Sequence, residues 1–176
     1  MEERAEGFFA RYRYPDWLGA HSRLVGRAAT VLAEAHAARV DVATVALAGY
    51  LHDIGRSPLL AGDPREHHEL SALVLRAEGL RDCAELALRH PVYAVLAEAT
   101  LARTLAERIV YYADRRAGME ILPMEERITE TAVRHPRYAA DIERSRPIAR
   151  EIERVVFEGT GLRPEDLGRL VAERRQ

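Results

Sequence analysis

The sequence has no lysine. All 26 basic residues are arginine, and they are balanced by 28 acidic ones to a net charge of -2. No strongly basic surface is implied, which argues against nucleic-acid binding. Any cationic contact to a phosphate must come from arginine, which is always charged and binds phosphate bidentately. Cysteine is almost absent too. The single Cys83 excludes an intrachain disulfide and a CxxC metal site. No apolar run reaches the roughly 18 residues needed to cross a bilayer. The first residues, MEERAEGFFARYRYPDW, hold no apolar leader core. A cytoplasmic protein with no membrane partner is the expectation.

What is present is helix-forming sequence. A hydrophobic share of 48% with no low-complexity tract indicates a folded chain. Ala, Leu, Arg and Glu dominate, and strand-like alternation is hard to find. The pattern predicts one all-α bundle of seven to nine helices spanning residues 1–176. A short first helix stops at Pro15. A second runs from Asp16 or Trp17 to Ala38, with Asp16 as its N-cap. Asp41 caps the third, VATVALAGYLHDI, which ends at Gly55. The stretch GRSPLLAGDPRE, with two Pro and two Gly, reads as a loop. Further helices are expected at 66–78, 81–90, 103–117, 124–134, 136–158 and 164–174, with Pro147 kinking or breaking the penultimate one.

Metal-ligating residue types fall on the inward faces of these helices. His21 shares the stripe of Leu24, Val25, Ala28 and Leu32. His52 and Asp53 close a helix that is apolar nearly all round. His67 has Leu70, Ser71, Val74 and Leu75 on its face, so it points in and its neighbour His68 points out. His90 follows Cys83, Leu86 and Ala87. Asp114 follows Ala106, Val110 and Tyr111. A buried carboxylate is costly unless paired or metal-bound, and a set of His and Asp without thiolate suits Mn, Fe, Co, Ni or Zn. Taken singly, each residue also fits a core histidine bonded to a carbonyl, or a carboxylate paired with Arg. His36 and His135 take that structural reading. Tyr111 and Tyr112 read as core.

In order, HSRLVGRAA, LHDIGR, HHELSALVL, LRHPV and ERIVYYADRR resemble the successive motifs of the HD superfamily of metal-dependent phosphohydrolases. The resemblance covers about residues 17–127, including ILPMEERI, and leaves 128–176 as an extension without a motif. It implies hydrolysis of a phosphate ester or anhydride, in a nucleotide or other small molecule, by a metal-activated water. His21, His52, Asp53 and Asp114 match the signature that holds one metal. His67 and His90 stand where two-metal members add ligands, and Asp53 would bridge the ions. The resemblance also implies catalytic roles for Asp53, His67 and His90. Arg56, after the doublet, is the first choice for a phosphate contact and Arg115 a weaker one. PVYAVLAEA after His90 lacks the glycine-rich segment of the cyclic-di-GMP phosphodiesterases. Three alternatives stay open: a one-metal nucleoside 5'-monophosphatase, a non-catalytic metal or nucleotide sensor, and a plain interaction bundle. The C-terminal helices either cover the pocket or form a homodimer interface.

Overall fold

The computed structural model describes residues 1–174. Among them are nine α-helices joined by loops and short 3-10 turns, and no strand. The helices are α1 (Glu2–Arg11), α2 (Asp16–Ala35), α3 (Val42–Leu51), α4 (His67–Ala77), α5 (Arg81–Leu88), α6 (Leu105–Asp114), α7 (Met124–Arg134), α8 (Ala139–Phe157) and α9 (Asp166–Glu173). The fold is the all-α bundle expected. No helix among the described residues is long and apolar enough to cross a membrane.

The bundle is built around α3. Every residue from Val45 to Leu51 is buried, because α1, α2, α5 and α6 all pack on it. Its closest neighbour is α2, and small residues permit that approach. A Cβ on Gly26 would lie 2.2 Å from the Tyr50 ring, and one on Gly49 would lie 3.2 Å from the Gly26 Cα. The start of α3 is fixed by Asp41, whose Oδ1 accepts from the Thr44 amide at 2.8 Å. Such a cap contributes about 1 kcal/mol. Asp41→Ala should therefore lower the unfolding free energy by about that amount in a denaturant titration, with the m-value unchanged.

Several helix ends differ from the sequence expectation. Asp16 is not the N-cap of α2: Pro15 holds that place and its carbonyl accepts from the Leu18 and Gly19 amides. Asp16 instead sits in the first turn, where its charge suits the helix dipole. That helix stops at Ala35 rather than Ala38, since His36 turns inward and bonds the Val156 carbonyl at 2.8 Å. Helix α8 runs through Pro147 without a break. Pro147 lies on the exposed side, where water can satisfy a carbonyl freed by the missing N–H. Three other helices end early, α3 at Leu51 rather than Gly55, α5 at Leu88 and α6 at Asp114, and all three endings shape the site.

Candidate metal centre

Three of the six singled-out residues lie at helix C-termini, where unpaired carbonyls are available. His52 is the C-cap of α3, and its Nδ1 lies 2.8 Å from the Gly49 carbonyl. His90 lies just beyond α5, and its Nδ1 lies 2.6 Å from the Ala87 carbonyl. A carbonyl only accepts, so in each neutral ring Nδ1 carries the proton and Nε2 keeps its lone pair. Asp114 ends α6. The negative end of the helix dipole also favours a cation at such places. A histidine–aspartate pair at a helix end is thereby explained: the end supplies the carbonyl that fixes the His52 tautomer.

The structure brings all six residues together. The Nε2 atoms of His21 and His52 are 3.3 Å apart. His21 Nε2 is 3.3 Å from Asp114 Oδ1 and 3.9 Å from Asp53 Oδ2. His52 Nε2 is 3.7 Å from Asp53 Oδ2 and 3.8 Å from Asp114 Oδ1. On the other side of Asp53, Oδ1 lies 3.4 Å from His67 Nε2 and 3.3 Å from His90 Nε2, and these two nitrogens are 3.2 Å apart. Ligands at about 2.1 Å from a shared ion stand roughly 3.0–3.4 Å apart; the group around Asp53 Oδ1, at 3.2–3.4 Å, has that spacing, and the group around Oδ2, at 3.3–3.9 Å, is slightly wider. His21, His52 and Asp114 form one set compact enough for an ion, and His52, Asp53 and His90 another.

The donor chemistry tests the fit. Asp53 Oδ1 is buried without a hydrogen-bond partner. His90 Nε2 cannot donate to it, since the proton is on Nδ1. Arg56 Nη2 donates to His67 Nε2 at 3.0 Å, so that atom is an acceptor as well. Asp53 Oδ1 and His90 Nε2 therefore face each other with no proton between them, beside a third acceptor that Arg56 alone serves, an arrangement a cation satisfies.

Two arginines compensate the carboxylates. Arg56 Nε donates to Asp53 Oδ2 at 2.8 Å. Arg115 pairs with Asp114, is itself buried, and lies over the Tyr111 ring. Burial pushes both carboxyls up, but Arg56 holds Asp53, and Arg115 holds Asp114, well below the usual carboxylate range. Burial pushes His52 down from 6.5 to about 4 and His67 to about 2. The unfolded chain takes up these protons below pH 6.5 while the fold resists them. The histidine contribution to stability is therefore full above pH 6.5 and is lost as pH falls toward 4. His52 alone accounts for roughly 3 kcal/mol by that point. Chelator-treated protein should melt at a steady temperature from pH 8 to 7 and progressively lower from pH 6.5 to 4.

One orientation needs correction. His68 does not point out. It is buried, edge-on to His67 and to Tyr93 at 6.2 Å, and its Nδ1 has no partner. Helical face counting is loose in a first turn, and α4 begins at His67; Tyr93, from the segment after His90, covers His68. His36, Tyr111 and Tyr112 are core, as expected. His135 instead lines the cavity described next.

A cavity of about 910 Å³ opens over His21, Asp53, His67, His90 and Asp114, and Arg56 and Arg115 also line it. Its far wall comes from the segment beyond residue 117, including Arg127, Arg134, Arg137 and Tyr138. Tyr138 stacks on Tyr93 with centroids 5.0 Å apart. Arg127 and Arg134 lie on α7, and Arg137 and Tyr138 in the 3-10 turn after it; none of the four stands out in the sequence as a site residue. The C-terminal extension thus covers the cavity. Residues 18–119 match the family model of the HD domain. The chain belongs to the HD domain family. No curated protein and no solved structure matches it. HD domains are typically metal-dependent phosphohydrolases, and the His and Asp groups of this HD domain could bind metal. Trp17, the single tryptophan, lines the cavity and is 60% exposed. Its fluorescence should change when a ligand enters the cavity, and the change should saturate with ligand.

Proposed function

We propose that this HD domain is a hydrolase of phosphate esters or anhydrides, acting on a nucleotide or another small phosphorylated molecule. The observation that carries the reading is the position of Asp53. One carboxylate oxygen faces His21 and His52, and the other faces His67 and His90. His21, His52, Asp53 and Asp114 would hold one divalent ion, and Asp53, His67 and His90 a second. Mn, Fe, Co, Ni and Zn all suit such ligands. Divalent ions there would neutralise phosphate charge and lower the pKa of an attacking water toward neutrality.

The protein's own residues do the rest. Asp53 orients both halves of the site. The Gly49 and Ala87 carbonyls hold the His52 and His90 rings in position. Arg56 and Arg115 sit at the cavity wall and can donate to phosphate oxygens while remaining paired with Asp53 and Asp114. His67, if it is not a ligand, presents an unprotonated Nε2 and can take a proton from the attacking water.

A second reading has an observation of its own. Arg56 donates to His67 Nε2, the atom a second ion would need. This favours a one-metal enzyme acting on nucleoside 5'-monophosphates. A substrate panel tests both. Protein reconstituted with Mn should cleave phosphomonoesters, phosphodiesters and phosphoanhydrides unequally, and excess chelator should abolish the turnover. Cleavage confined to nucleoside monophosphates would select the one-metal reading. Binding of metal without turnover of any panel member would sink the hydrolase and leave a sensor.

A further inference from the structure

Arg127 is a buried cation with little to balance it. It is 8% exposed. Its Nε donates to the Ala117 carbonyl at 2.7 Å and its Nη1 to Thr131 Oγ1 at 2.9 Å, both neutral acceptors. The nearest carboxylate is Glu130 at 3.8 Å, on a side chain 43% exposed. Nη2 has no hydrogen bond among the described residues, and Arg127 lines the cavity. Arg116 supplies the contrast. It is equally buried, but its three nitrogens bond the Leu122 carbonyl, Tyr112 Oη and the Pro164 carbonyl. Arg116 is a finished structural contact, and it does not line the cavity. Arg127 keeps both N–H groups of Nη2 free of hydrogen bonds among the described residues, in the cavity wall. Arg134 lies two turns further along α7, also lines the cavity, is exposed, and has no ion-pair partner among the described residues. A buried guanidinium stays charged and is costly without an anion.

We propose that Arg127 and Arg134 form an anion subsite that holds a second phosphoryl group, next to one placed at the His–Asp cluster. The substrate class is then one with at least two linked phosphoryl groups, a phosphoanhydride. This rests on the phosphohydrolase reading. Burial works against the Arg127 charge, nearby Asp114 favours it, and the charges of Arg115 and Arg134 oppose it. The wall and the cluster line the same cavity. Glu126 and Glu130 share the wall, but both are exposed and solvated.

The test is calorimetric titration of the Mn-loaded full chain with imidodiphosphate, which has two phosphoryl groups and resists hydrolysis, and with orthophosphate. The parent should bind imidodiphosphate about tenfold or more tighter than orthophosphate. Arg127→Gln and Arg134→Gln should each reduce that ratio several-fold, with the larger loss falling on imidodiphosphate. Arg134 is exposed and unpaired, so its variant decides the matter even where Arg127→Gln fails to fold. An unchanged ratio in Arg134→Gln overturns the proposal. Arginine-dependent imidodiphosphate binding in a protein that hydrolyses nothing supports the subsite and contradicts the hydrolase reading instead.

Discussion

Asp53→Asn is expected to reduce phosphohydrolase turnover by about 1000-fold or more, a loss of at least roughly 4 kcal/mol of transition-state stabilisation. The expected size follows from the residue's position. Each carboxylate oxygen faces a different pair of imidazoles, at 3.7–3.9 Å on one side and 3.3–3.4 Å on the other. The amide replaces one of these oxygens with a donor and removes the charge, so neither half of the site keeps its ligand set. Arg56 also loses the partner that its Nε now bonds at 2.8 Å, leaving a cation where the divalent ions would sit. His21→Ala, by contrast, removes a ligand from only one half. Steady-state assays at saturating Mn would compare the two. Asp53→Asn with turnover within tenfold of the parent would rule out this carboxylate as the hub of the site.

The second large effect concerns a residue with no side chain. Gly55→Ala is expected to destabilise the protein by about 3 kcal/mol or more, through overpacking against atoms that cannot move aside. A Cβ there would stand 2.0 Å from the His67 carbonyl oxygen and 2.6 Å from the Ser71 nitrogen. The first turn of α4 rests directly on the backbone at Gly55, and the Gly55 amide donates to Ser71 Oγ at 2.9 Å. Moving α4 away would carry His67 out of the site. The variant should melt roughly 6–12 °C below the parent after chelator treatment, and should also bind metal more weakly. A melting temperature within about 1 °C of the parent would show that the contact is easily relieved. The glycine after the histidine–aspartate doublet thus serves packing, and through packing it places a candidate ligand.

The two variants mark what could be read in the chain and what could not. The helices were legible because their apolar periodicity is strong, and α3 was recognisable as central because it is apolar nearly all round. The inward direction of His21, His52, His67, His90 and Asp114 followed from the same periodicity. His68 was not legible, because it lies in a first turn whose burial depends on Tyr93, 25 positions away. The helix end near residue 35 goes with a tertiary bond from His36 to the Val156 carbonyl, and the one near residue 88 with the His90 side chain on the Ala87 carbonyl, neither of which local propensity encodes. The cavity's far wall was the largest omission. Arg127, though inside ILPMEERI, reads as one more charged position on the helix at 124–134, and Tyr138 as a residue of the helix at 136–158. Only the return of α7 and α8 across the site places them opposite Asp114 and against Tyr93.

Metal content per chain tests the central claim most directly. Protein purified without chelator and reconstituted with Mn should carry about two ions per chain. His67→Ala and His90→Ala should each carry about one, since His21, His52, Asp53 and Asp114 remain. One ion in the parent, unchanged by either variant, would contradict the two-ion site. No ion at all after incubation with Mn, Fe, Co, Ni and Zn would contradict the metal centre itself.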